Sequence, residues 1–381
     1  MEQSPSPRSL REVAAYFLRL GWTAFGGPAA HLAMMEEEAV RRRGWLSHEA
    51  FLDLLGAVNL IPGPSSTQMA MSIGYRRAGW RGLVLGGACF ILPAALLTLG
   101  IAWVYVRFGH LPRALGLLYG IKPVVLAIVL QALWNLGRTA FRTPLLVGLG
   151  ALALGCALLG LHPVVVLLGS GGLCFLRFHL KEASPPDEPK VSAGWLPLSL
   201  GAASLPAAGL LGLFAVFLKA GTVVFGGGYV LLAFLKADLV DRWHWLSQSQ
   251  LLDAIAVGQL TPGPVFTTAT FIGYVLHGVP GALVATLGIF LPSFLMVGVL
   301  AVHLPRLRKS PGMAAFLDGI NVGALALMAS VSWGLSGAAL VDRWTWLLAL
   351  ASTMLLLRFK PNPAWLVLGG GLAGLLLRGG V

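Results

Sequence analysis

The sequence predicts an all-α polytopic membrane protein. It is built from two homologous, inverted repeats, each with about five transmembrane helices and with discontinuous or re-entrant helices at its FGG and PGP motifs. Three observations predict this. Of the 381 residues, 57% are hydrophobic and only 11% charged, against about a quarter charged in soluble domains. The runs 82–106, 195–218, 279–302 and 319–341 contain no Asp, Glu, Lys or Arg, and 114–137 contains only Lys122. About 20 apolar residues are enough to cross a bilayer core. Finally, the chain repeats itself.

At an offset of 200 positions (225 − 25), Phe25-Gly26-Gly27 matches Phe225-Gly226-Gly227. Trp45-Leu46-Ser47 matches Trp245-Leu246-Ser247, Asp53 matches Asp253, and Pro62-Gly63-Pro64 matches Pro262-Gly263-Pro264. After one deletion the offset is 199 (272 − 73). Ile73-Gly74-Tyr75 then matches Ile272-Gly273-Tyr274, and Leu92-Pro93 matches Leu291-Pro292. Glycines, prolines and tryptophans held in one register over a hundred residues mark duplication. The first repeat is 1–180, the polar stretch 181–194 with ASPPDEPK is a linker, and the second repeat is 195–381.

Each copy opens with a helix broken at FGG. A loop with Trp-Leu-Ser follows, where Ser47 and Ser247 are candidate N-caps. Only Ser247 has a glutamine, Gln250, three residues on to complete a capping box. Next comes an element broken at PGP. Four apolar spans complete the copy, near 82–106, 114–137, 143–160 and 161–177 in the first. If the PGP element is re-entrant and the FGG element crosses once, each copy crosses five times and the copies face opposite ways. Sixteen basic residues then fall on the cytoplasmic side and seven, including Arg8 and Arg11, on the other. The N-terminal MEQSPSPRSLREVAAYF lacks a cleavable signal pattern.

Composition also excludes functions. The +12 charge sits in short loops between spans, where lipid topology explains it and nucleic-acid binding does not. Cys89, Cys156 and Cys174 are scattered in apolar segments without a CxxC, so neither a disulfide framework nor a metal site is implied. No HExxH, GxSxG or Walker A sequence is present, so neither an enzyme nor ATP hydrolysis is indicated, and no cofactor is expected.

A helix broken at membrane depth survives only where protein or water covers it. Paired breaks mark secondary transporters with sites near the midplane. A new helix N-terminus carries about half a positive charge and free N–H groups, which suit an anion. The expected oxyanion site is therefore Gly26, Gly27, Pro28, Pro62, Gly63, Pro64, Ser65, Ser66 and Thr67 in copy one. In copy two it is Gly226, Gly227, Gly228, Pro262, Gly263, Pro264 and Thr267. Pro28, Pro64 and Pro264 read as first-turn prolines. Gly228 replaces Pro28, so the second break is expected to differ in shape. Arg19 and Lys219 hold equivalent positions six residues before each FGG and supply counter-charge, as does Lys122, whose partner position is Asn321. His31, Glu36, Asp53 and Asp253 are the candidates for proton coupling.

The segments FGGPAAHLAMMEEEAVRRRGWLSHEAFLDLLGAVNLIPGPSSTQMAMSIGYRRAGWRG and FGGGYVLLAFLKADLVDRWHWLSQSQLLDAIAVGQLTPGPVFTTATFIGYVLHGVPGAL resemble the signature region of the chromate ion transporter family. The likeness covers both halves and matches the family's long, two-domain form. It implies a multi-pass protein of the bacterial inner membrane. It also implies export of chromate from the cytoplasm, driven by membrane potential or a proton gradient, with sulfate as a likeness in charge and shape. A sulfate importer or exchanger fits the same motifs, because direction depends on gradients. The oligomeric state stays open, a homodimer included.

Overall fold

In the computed structural model, residues 7–182, 209–225, 228, 230–307, 311–359 and 361–378 are described, and every element among them is helical. Most of the expected linker, together with Gly226 and Gly227, lies outside these residues. Copy one contains α1 (Pro7–Thr23), α2 (Gly27–Glu36) running on into a π-helical turn at Glu37–Arg42, α3 (His48–Val58), α4 (Ser65–Phe108), α5 (Pro112–Ala140), α6 (Pro144–Leu158) and α7 (Pro163–Glu182). Copy two repeats the order with α8 (Leu210–Val223), α9 (Leu231–Leu235), α10 (Gln248–Leu260), α11 (Thr268–Leu307), α12 (Pro311–Ala339), α13 (Arg343–Phe359) and α14 (Pro363–Arg378). Five of the helices are long and apolar enough to cross a membrane, and α6, α8 and α14 are shorter apolar ones.

α4 is two limbs rather than one rod. Ala78 and Gly79 leave helical geometry, Gly79 at φ 59°, and the limbs 65–77 and 80–108 fold back on each other. Gly74 and Gly82 face each other so closely that a Cβ on either would strike the other's backbone. His277 and Gly278 turn α11 in the same way, with Gly273 against Gly281. The sequence reading matched Gly74 with Gly273 but assigned no turn between Gly74 and Gly82.

The limbs give the depth of everything else. α1 runs parallel to limb 80–108: Glu12 pairs with Arg77 at 2.8 Å, Gly86 faces Phe17, and Gly21 faces Phe90. The stretch from Glu12 to Thr23 is about 18 Å long at 1.5 Å per residue. This reaches about the middle of a 30 Å hydrocarbon core. The chain then returns, because Trp45 stacks edge-on to Tyr16 and lies under the Arg77 guanidinium. The FGG element is thus a hairpin entering and leaving by one face, which corrects the expectation that it crosses once. A second hairpin follows, down α3 to PGP and back along 65–77. Each copy therefore has two hairpins followed by four helices that alternate in direction.

This correction also moves the N-terminus. Arg11 joins Arg41, Arg42, Arg43, Arg76, Arg77 and Arg81 on the first face, together with Arg138, Arg142, Arg177 and Arg358 at later helix ends. The second face holds Arg107, Arg113, Arg242, Arg343 and Arg378. The copies exchange neighbours: α5 packs on α13 and α14, and α12 packs on α6 and α7. At their contact, limb 80–108 and its counterpart 279–307 run antiparallel, with Trp80 against Gly298 and Gly87 against Phe294.

Candidate functional site

Four broken tips meet at the centre. Gly26 (φ 106°), Gly27 (77°), Gly63 (119°) and Gly263 (86°) all occupy the left-handed region, which glycine enters without a Cβ penalty. Pro28 sits in the first turn of α2 as expected. Pro64 and Pro264 do not. Each is the extended residue just before the following helix, since the glycine ahead of it makes the turn. In copy two α9 begins only at Leu231, four positions later than the equivalent of Gly27. Gly228 there packs against Val265 and Phe266.

The tips are cross-linked between copies by a reciprocal pair of hydrogen bonds. The Gly63 N–H donates to the Val224 carbonyl at 2.7 Å, and the Gly263 N–H donates to the Ala24 carbonyl at 2.8 Å. Ala24 and Val224 are themselves equivalents (224 − 24 = 200), each just past the end of a helix whose last carbonyls lack partners. Each PGP tip thus satisfies the other copy's FGG hairpin. Two of the expected anion donors are spent on protein in this way. The first-turn amides of Ser65, Ser66 and Thr67 remain, having no intrahelical acceptor.

Fully buried polar side chains surround the crossing. Gln68 donates through Nε2 to the Pro62 carbonyl and to Ser293 Oγ at 3.3 Å. Thr98 donates to Thr267 Oγ1 at 3.4 Å, and Thr267 donates on to the Pro264 carbonyl. His31 stands edge-on to Phe90, with Nε2 3.1 Å from the Ala24 carbonyl. A carbonyl only accepts, so Nε2 carries a hydrogen. His31 Nδ1, Thr67 Oγ1 and Gln68 Oε1 are buried without partners among the described residues. Position 297, the counterpart of Thr98, is Val, so Thr67 lacks the hydroxyl that Thr267 has (297 − 98 = 199). Ser293 escaped the sequence reading because it is not repeated: its counterpart is Ala94, as that of Gln68 is Thr268.

The charged candidates separate into distinct places. Lys122 of copy one meets Asp253 of copy two at 3.5 Å and donates to Ser249, while Tyr105 donates to Asp253 at 2.9 Å. Lys219 binds Asp238 at 2.8 Å, and His162 stands 3.2 Å from the same ammonium. Arg19 instead opens onto a cleft of about 490 Å³ at the first face, with Tyr16, Thr23, Glu37, Glu38 and Arg42. Glu38, the counterpart of Asp238, is taken by Arg42 and Arg43. Glu36 pairs with His48 at 3.1 Å at the first face, away from the tips. Asp53 lies on α3 at the position equivalent to Asp253. No group of three or more metal-binding side chains occurs among the described residues.

Comparison with known proteins gives the same two-copy picture. The family model described as Chromate transporter matches residues 11–175 and again 211–375. A chromate transport protein of Cupriavidus metallidurans is 34% identical over 97% of this chain and 93% of its own length. A probable chromate transport protein of Synechococcus elongatus is 33% identical over 97% and 95%. A chromate transport protein of Pseudomonas aeruginosa is 31% identical over 87% and 82%. No solved structure matches the chain.

Proposed function

This chain belongs to the chromate transporter family, and from that premise we propose that it exports chromate from the cytoplasm through the point where its four broken tips meet. It is a multi-pass membrane protein, a transporter and not an enzyme. The observation that carries the proposal is the reciprocal Gly63–Val224 and Gly263–Ala24 bonding. It brings the helix ends beside the breaks of both copies together, which supports a midplane site reached alternately from two faces.

The antiparallel contact of 80–108 with 279–307 supports oppositely oriented copies. The arginine-rich first face is the cytoplasmic side of a bacterial inner membrane. Chromate reaches the tips through the cleft at Arg19. There it meets the first-turn amides of α2 and α4 and the hydroxyls of Ser65, Ser66, Thr67 and Thr267. Lys122 draws it on toward the second face. Sulfate, of the same charge and shape, competes. The inside-negative potential or the proton gradient supplies the driving force.

Everted membrane vesicles carrying the protein test this directly. Energised vesicles are expected to accumulate chromate, and a protonophore is expected to stop it. Uptake no greater than in vesicles lacking the protein would sink the export reading.

A further inference from the structure

Asp253 is 2% exposed, and its surroundings are unusual for a buried carboxylate. Oδ2 accepts from Tyr105, but Oδ1 has no hydrogen-bond donor. Its counter-ion, Lys122, stands off at 3.5 Å and spends a hydrogen bond on Ser249 instead. Of the elements packed on α10, α4 supplies Tyr105 and α5 supplies Lys122. The described parts of the others bring no further charged group to Asp253. The set joins the copies and exists once, because the counterparts of Lys122, Tyr105 and Ser249 are Asn321, Leu304 and Glu49. Tyr105 lies near the second-face end of α4, so the cluster stands between the tips and that face.

Resting on the transport reading above, we propose that Asp253 carries the cycle's proton: an oxyanion arriving at Lys122 takes its ammonium, and the released carboxylate binds a proton. The ion pair between Lys122 and Asp253 breaks, one between Lys122 and the anion forms, and an O–H bond forms at Oδ1 with a proton from water. Removing one partner of a buried ion pair is strongly unfavourable when the other charge stays. A buried carboxyl escapes that cost by becoming neutral. Asp253 already holds Oδ2 on Tyr105, so Oδ1 is where the proton goes. Bound together, proton and anion move together. A chromate dianion then carries one net negative charge outward. Membrane potential drives export, and a gradient acid outside opposes it.

The test uses the full-length protein in detergent, with chromate added at about pH 8, where chromate itself no longer titrates, and proton uptake followed with a dye. Wild type is expected to take up about one proton per chromate bound, its affinity falling about tenfold per pH unit above neutrality. Asp253→Asn is expected to bind chromate with neither proton uptake nor that pH dependence. Tyr105→Phe keeps the uptake but moves its midpoint upward, because the ionised form has lost a donor. Chromate binding by wild type without proton uptake would overturn the inference alone. No chromate binding by wild type would overturn both it and the transport reading.

Discussion

The two copies share a fold and a register, yet their first hairpins differ. In copy two Lys219 and Asp238 pin the limbs together, and His162 from the α6–α7 loop closes over them. In copy one Arg19 is held apart from Glu38, and a cleft opens at the first face. The second hairpins differ as well: Asp253 pairs with Lys122 and Tyr105, whose counterparts in the sequence are Asn321 and Leu304. Duplication supplied the scaffold twice, while substitution placed the paired charges in one half. A transporter with two identical gates has no reason to favour one face. Here the ion pairs lie in the half toward the second face, and the cleft lies in the half toward the first.

The comparison can be broken at four places. Lys122→Ala is expected to have the largest effect. It strands a buried carboxylate at a cost of about 3–5 kcal/mol and abolishes chromate accumulation by everted vesicles. Asn321→Ala, its equivalent, should leave most of the activity; equal loss in both would mean the halves are not specialised.

Leucine at Gly63 or Gly263 comes next, since each adds a side chain at positive φ. A Cβ at Gly63 meets the mobile ends of Gln68 and Ser293, whereas at Gly263 it meets the fixed Cβ of Ala94 at 2.8 Å. Both variants should lose chromate resistance at normal membrane abundance, Gly263→Leu the more completely. Full resistance in either would remove the tips from the pathway.

Lys219→Gln leaves Asp238 with His162 alone, 3.8 Å away, and should lower the melting temperature of the solubilised protein. Arg19→Gln should leave melting unchanged and raise half-saturation for chromate a few-fold. The reverse pattern would exchange the open and closed assignments.

The smallest effect is at the caps. Ser247 forms the full reciprocal box with Gln250, whereas Ser47 only accepts from Ala50. Each Ser→Ala is expected to cost about 1 kcal/mol, with Ser247→Ala the larger by the lost box, read as melting shifts.

These caps were legible in the sequence because capping is local chemistry. So were the helical class, the duplication and the positions of the breaks: a glycine between prolines in an apolar run stops a helix wherever it sits. Membrane family and broad function followed from the motif register. The spans near 114–137, 143–160 and 161–177 match α5, α6 and α7 because their length and apolarity are set by the bilayer.

What a break does not say is where the chain goes next. FGG reads alike whether the helix continues across or turns back. The return was decided by Tyr16, Trp45 and Arg77 packing together at one face. Nor does a local pattern show that Gly63 bonds Val224, or that Lys122 finds Asp253, 131 positions away (253 − 122). Those pairings arise because the copies interlock about their shared centre. The sequence by itself determined which backbone groups would be exposed at the breaks. Only the tertiary structure decided which were spent on the other copy, because a buried N–H must find a partner and the nearest carbonyl belonged to the opposite repeat.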